Sequence, residues 1–328
     1  MNEIVSENSM KKYYIYILFL FVFTESVYSQ FDAQLSQYML HHSSFNPAAV
    51  GESERIDVIL QPRINLINFD GSGTTTVFSI HSPLKLGDSK HGVGVSFLND
   101  EIGWLSNKTF HLQYAFKKNI GKAKLSIGAD LGFVNIGFSG DSVAQQKITL
   151  GEYHNQIVSD PAIPLTQVSG TSLDMSVGAW FSLKEWYSGF SLVHLNRPTV
   201  TWTPTAEFNV FSTMFFTGGF NYKLLNPKYV LKPSVLLKSD FSSWQLDLSS
   251  RVEYDNKFWG GLTYRVKDAV VLMAGLNVAG GLSVGYAFDV STSKLITTNY
   301  GSHELVVIYS FEYALAKGSK KYKSVRFL

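Results

Sequence analysis

Chemistry, if this chain performs any, has few residues to rest on. His41 and His42 are adjacent, not at the i, i+4 spacing that sets two metal ligands on one helix face. There are eight His and no Cys, so thiolate metal sites, Cys nucleophiles and disulfides drop out together. No phosphate-binding loop, His-Glu-x-x-His pair or dinucleotide fingerprint occurs. Ser, His and Asp far apart in sequence can still converge in space, so a hydrolase stays open as one reading. The expectation is no enzyme, no cofactor and no metal.

The remaining polar side chains sit on alternating strands. Trp244, Leu246, Leu248, Val252 and Tyr254 share one parity, broken only by Ser250, while Gln245, Asp247, Ser249, Arg251 and Glu253 share the other. After Asp255-Asn256-Lys257 the alternation restarts, with Phe258, Leu262 and Tyr264 opposite Thr263 and Arg265. Side chains alternate faces along a strand, so this is a hairpin with one apolar and one charged face. In an outer-membrane barrel the apolar face meets lipid and the polar face lines the lumen. Asp130, Asp174, Lys232, Lys238, Asp247, Arg251, Glu253 and Arg265 then point inward. Their mixed sign suits internal pairing or plug contacts better than a pore for one class of ion.

Composition and the N-terminus favour the barrel over a soluble sandwich. The 328 residues carry 28 Lys and Arg against 26 Asp and Glu, a net charge of +2, so no bulk charge draws nucleic acid. Aromatic residues are 14% and charged residues 16%, the latter well under the roughly 25% usual in soluble domains. Lys11 and Lys12 precede an apolar run, Tyr13 to Phe23, and Val27-Tyr28-Ser29 is an acceptable cleavage site. Residues 1–29 therefore read as a signal peptide, too short in its apolar part to span a bilayer, which takes about 20 residues. An exported chain without a spanning helix can cross a membrane only as a closed barrel.

Alternating segments from Ile56 to Tyr313 give about fourteen strands, an even number as single-chain bacterial barrels require. The expected fold is all-β: a transmembrane, antiparallel, up-and-down barrel over residues 56–314. Residues 30–55 are polar and irregular, but Phe31, Tyr38, Met39 and Phe45 argue against a disordered leader. They are expected to plug the lumen or line the periplasmic rim. Long connections, Leu66–Gly73, Asn99–Thr109, Ile136–Thr171, Leu195–Phe211 and Asp289–Ser302, alternate with short ones. Long outer loops over short periplasmic turns are the barrel habit, which puts both termini in the periplasm. The longest connection carries Asp160 and Pro161. Residues 315–328 form a basic tail with Lys320, Lys321 and Lys323.

Several stretches taken together resemble the PorP/SprF family. They are Phe31 to Met39 (Phe-Asp-Ala-Gln-Leu-Ser-Gln-Tyr-Met), Phe45 to Gly51 (Phe-Asn-Pro-Ala-Ala-Val-Gly) and His91 to Gly103 (His-Gly-Val-Gly-Val-Ser-Phe-Leu-Asn-Asp-Glu-Ile-Gly). His194-Leu-Asn-Arg-Pro198, Leu231 to Lys238 (Leu-Lys-Pro-Ser-Val-Leu-Leu-Lys), Gly285-Tyr-Ala-Phe-Asp289 and Asn299 to Leu305 (Asn-Tyr-Gly-Ser-His-Glu-Leu) follow in order. One departure is Ala48-Ala49-Val50, where the family more often has an aromatic residue. The resemblance implies an outer-membrane component of the type IX secretion system. Its implied partners are periplasmic lipoprotein and peptidoglycan-linking components, or a large secreted surface adhesin held through its C-terminal domain. A diffusion channel for small solutes is the alternative that the barrel alone suggests. If partners bind, Phe31, Tyr38, Phe45, Asn46 and Pro47 are expected as plug or periplasmic contacts. Asp160 and Pro161 are expected as outer contacts, and Lys320, Lys321 and Lys323 as a periplasmic docking arm.

Overall fold

The computed structural model describes residues 32–53, 55–87, 89–140, 164, 166–293 and 297–312. Seventeen strands occur among them: β1 (Ile56–Ile64), β2 (Thr74–Leu86), β3 (Ser89–Ile102), β4 (Leu105–Ile120), β5 (Ala123–Ser139), β6 (Gln167–Leu183), β7 (Trp186–Val193), β8 (Thr199–Thr203) and β9 (Ala206–Asn209). β10 (Thr213–Phe220), β11 (Tyr222–Lys223), β12 (Tyr229–Ser239), β13 (Trp244–Tyr254), β14 (Phe258–Arg265), β15 (Ala269–Val278), β16 (Leu282–Ser291) and β17 (Ser302–Phe311) complete the chain. Each wall strand pairs antiparallel with its neighbours in sequence, and β1 pairs with β17, so the sheet closes on itself. Setting aside the β8–β9 hairpin and the short β11, fourteen strands form the wall. No helix among the described residues is long and apolar enough to cross a membrane, so crossing falls to the strands.

The dyad decides which face meets lipid. On β4, Phe110, Leu112, Tyr114 and Phe116 are exposed while Thr109, Gln113, Ala115 and Lys117 are buried. On β13, Leu248, Val252 and Tyr254 point out and Asp247, Ser249 and Glu253 point in. A soluble fold would bury the first set; here the exterior is apolar and the interior polar, the inversion a lipid solvent imposes.

Seven connections gather at one rim, including 65–73, 140–166, 194–212 and 292–301; the other rim holds mostly tight turns. Three expected loops are corrected. Asn99–Thr109 is no loop: β3 and β4 run on to a two-residue turn at Gly103-Trp104, where Gly103 takes φ +58°. Likewise β5 and β6 extend past Ile136 and Thr171, to Ser139 and Gln167, and Asp289 lies inside β16. The strands outrun the lipid, so their outward residues turn polar (Glu101, Lys108, Thr171) and the alternation disappears from the sequence while the ladder continues. The connection after β7 contains the β8–β9 hairpin, which sequence alone did not show. It folds onto the inner face of the raised wall. There Val200, Val210 and Trp202 pack against Val134 and Ile136, and the Trp202 indole donates to the Ile136 carbonyl at 2.8 Å.

Residues 32–53 fill the lumen as a plug, with three 3₁₀ turns at Tyr38–Leu40, His42–Ser44 and Pro47–Ala49. Asp32 meets His194 and Lys238, at the long-loop ends of β7 and β12. Glu52 meets Lys117 and Lys124, near the opposite rim. The plug thus traverses the barrel before β1 starts upward. Within the described residues Asp32 and Glu312 lie toward opposite rims; the chain's own termini, expected in the periplasm, lie outside the described residues. The signal segment, the basic tail and the residues Phe31, Asp160, Pro161, Lys320, Lys321 and Lys323 lie outside the described residues.

Candidate functional site: the plugged lumen

The plug is irregular backbone, and irregular backbone in a closed lumen needs partners for its peptide groups. The wall supplies them from inward positions. Gln113 donates to the Ser43 carbonyl at 2.9 Å, Ser191 to Phe45 at 2.6 Å and Ser126 to Ala48 at 2.7 Å. Asn46 acts twice. Its side-chain oxygen accepts from the Ala48 N–H at 2.9 Å, starting the turn that Pro47 continues. Its amide nitrogen donates to the Ala179 and Phe190 carbonyls at 3.1 and 3.3 Å, stapling that turn to β6 and β7. Gly128 makes room: a Cβ there would lie 2.4 Å from the Ala48 nitrogen. The plug backbone lies this close to the wall at Ala48, which the resemblance had flagged as a departure.

Tyr38 and Phe45 anchor the apolar part. Tyr38 is fully buried, and its hydroxyl bridges Ser234 and Ser249 at 3.1 and 3.0 Å. Phe45 stacks on Phe215 with ring centres 5.3 Å apart. With Met39 they pack against Leu236, Trp259, Val271, Met273 and Ala287. Tyr38, Phe45, Asn46 and Pro47, expected as plug or periplasmic contacts, lie in the plug against the barrel's own wall.

A buried ionic network holds the start of the plug. One Glu304 carboxylate oxygen accepts from the Ser36 N–H at 2.7 Å and the other from the Gln37 N–H at 2.8 Å. Ser36 Oγ donates to Asp289 at 2.7 Å. Arg63 reaches Asp289 at 2.9 Å and Glu304 at 3.4 Å; Arg265 reaches Asp289 at 2.9 Å and Asp247 at 3.2 Å. Charges this deep persist only when paired and hydrogen-bonded. The sequence had marked Asp247 and Arg265 as inward pairing or plug groups, and they are both. It missed Arg63, Asp289 and Glu304, whose inward parity was the available signal. Lys232 pairs with Glu253 at 2.8 Å, and Arg251 sits 5.1 Å over the Trp259 ring.

His194-Leu-Asn-Arg-Pro198 turns the chain inward at the top of β7. His194 and Arg197 take φ of +53° and +47°. The Leu195 N–H donates to the Met175 carbonyl at 2.7 Å, and Asn196 Nδ2 to the Leu173 carbonyl at 2.7 Å. His194 lies between two carboxylates, 3.0 Å from Asp32 and 2.7 Å from Asp174. Burial alone would depress its pKa, but the paired negative charges outweigh burial and raise it to about 10. The plug histidines go the other way: burial lowers His41 to about 4, and burial with the nearby Arg251 charge lowers His42 to about 3.

Gly281-Leu282-Ser283-Val284-Gly285 matches the Gly-x-Ser-x-Gly spacing, a motif the sequence reading had counted as absent. A nucleophile elbow needs a strained strand-to-helix turn; Ser283 instead lies inside β16, paired with Ile308 and Asn277. Among the described residues no group of three or more His, Asp and Glu could hold a metal ion.

Closed wall, lipid-facing exterior and filled lumen define this as a plugged outer-membrane β-barrel. The chain belongs to the PorP/SprF family, described as type IX secretion system membrane proteins, whose family model matches residues 27–309. Solved structures with a similar barrel include a deletion mutant of the monoaromatic hydrocarbon channel TodX, 9% identical, covering 86% of this chain and 95% of that one at a TM-score of 0.47. The toluene transporter TbuX of Ralstonia pickettii is 11% identical over 88% and 96%, with a TM-score of 0.47. The translocator domain of the Neisseria meningitidis autotransporter NalP is 12% identical over 79% and 88%, at 0.37. These likenesses are too distant to bear on what this barrel binds or passes. No curated protein matches the chain.

Proposed function

We propose that this protein is a partner-binding barrel of the type IX secretion system that helps export or anchor surface proteins. The observation that carries the reading is the plug: 22 consecutive residues, Asp32 to Ser53, run through the lumen and are fixed there by buried charge pairs. A plug held this firmly obstructs free diffusion through the lumen. It suits a protein that presents rigid rims to other proteins. Family membership supports the secretion context. The long-loop rim faces outward on this reading, since long loops are extracellular in such barrels.

The test is crosslinking followed by affinity purification from solubilised outer membranes, with partners identified by mass spectrometry. Co-purification of a large surface adhesin, or of periplasmic lipoprotein and peptidoglycan-linking components, is expected. Recovery of the barrel alone, with a surface proteome unchanged on gene deletion, would overturn the reading. The competing solute channel predicts stable conductance of the intact protein in planar bilayers, and a silent barrel removes it.

A further inference from the structure

At the long-loop rim, between the β8–β9 hairpin and the raised wall, lies a cavity of about 490 Å³. Its apolar lining comes from Ile102, Leu105, Ile136 and Phe208, and two carboxylates, Asp100 and Glu207, share it. This size and mixture, apolar walls with a few placed polar groups, is that of a ligand pocket. Asp100 is the buried charge that a ligand in this cavity would meet. It is 4% exposed. Its single side-chain hydrogen bond is from Thr75, and among the described residues it forms no ion pair. Lys238 and Arg63 act on it only through space, since Lys238 donates to the Asp32 carbonyl and Arg63 to Asp289 and Glu304. Asp100 also borders the lumen beside Arg63 and Lys238, and with one hydrogen bond made it keeps acceptor capacity for a donor entering the cavity. Glu207, on β9, stands exposed at the same cavity. The lip is apolar, with Ile102 and Phe211 both exposed.

We propose that this pocket receives a Lys or Arg side chain carried, with an apolar neighbour, on a polypeptide partner. The cation would meet Asp100 and Glu207 while its stem and the neighbour bury against Phe208, Leu105 and Ile136. That the occupant belongs to a protein rests on the function proposed above; the pocket's preference for an apolar body with a cationic head does not.

The experiment uses the purified full-length barrel in detergent, titrated with benzamidine, an aromatic ring bearing a fixed cation, and with neutral benzamide of the same shape. Trp202, whose ring centre is 5.8 Å from that of Phe208, reports occupancy by fluorescence. Saturable quenching by benzamidine is expected, with binding about threefold weaker in E207Q, as fits loss of one exposed charge contact. D100N should weaken it further, and E207Q, at an exposed site, remains informative if D100N folds poorly. Equal binding of benzamide and benzamidine, no binding, or unchanged affinity in E207Q would each overturn the proposal. Benzamidine binding without any captured secretion partner would leave the pocket standing and remove the secretion reading. A captured partner with no benzamidine binding would do the reverse.

Discussion

Glu304 shows what one buried carboxylate does in this lumen. Its two oxygens hold the Ser36 and Gln37 N–H groups, and it also accepts from Gln61 and Arg63. Replacing it with Gln removes the charge and leaves Arg63 half-paired in a buried site. Breaking such a pair costs on the order of 3 kcal/mol. The expected outcome for E304Q is a plug that cleaves faster in limited proteolysis while the wall keeps its heat-modifiable migration. The histidines set a pH window of opposite signs. His41 and His42 titrate near 4 and 3 when folded, against about 6.5 unfolded. Their burial in neutral form is unpenalised above pH 6.5 and costs stability as pH falls toward 4. His194 titrates near 10 when folded, so its contribution is complete below about 6.5 and is lost as pH rises toward 10. Plug amides should therefore be best protected from hydrogen exchange near neutral pH, with protection falling on both sides. A profile flat from pH 4 to 10 would contradict these assignments.

At the scale of elements, the turn Pro47–Ala49 and strand β5 are matched by subtraction of a side chain. Gly128 lets the plug backbone come within contact of the wall. Gly128→Val would place branched carbons where the Pro47–Ala48 peptide now lies. Valine suits a strand, so β5 should still pair with β4 and β6, and the turn should be the part that moves. The expected result is loss of a crosslink engineered between the plug and β6, with the circular dichroism of the sheet unchanged. The hairpin β8–β9 works in the opposite sense, adding side chains to a wall that outruns the lipid. It covers Val134 and Ile136, which would otherwise face water inside the mouth.

For the whole molecule, the ring of fourteen wall strands does not need the plug to close, because every wall strand has both ladder neighbours. Deleting residues 32–53 should leave a folded barrel with a higher conductance in planar bilayers than the intact protein. A deletion variant as silent as the wild type would mean that the β8–β9 hairpin, not the plug, closes the lumen.

Much of this architecture was legible in the chain itself, and the reason is periodicity. The alternation of Trp244–Tyr254 and Phe110–Lys117 announces strands with one lipid face, because bilayer and lumen are two solvents that select residues at every second position. Aromatic residues in an otherwise polar leader announced that residues 30–55 pack against something. Family motifs such as His194-Leu-Asn-Arg-Pro198 announced kinship, without saying that His194 sits between Asp32 and Asp174. What the sequence determined by itself is thus the barrel, its number of wall strands and the mixed charge of its interior. The tertiary structure decided the rest. It decided the true heights of β3 to β6, since strands beyond the lipid lose the alternating signal. It also decided the direction of the plug, the inward fold of β8–β9, and which carboxylate meets which guanidinium. Arg63 meets Asp289 and Glu304 from more than two hundred positions away, and only closure of the ring by β1 and β17 brings them within reach.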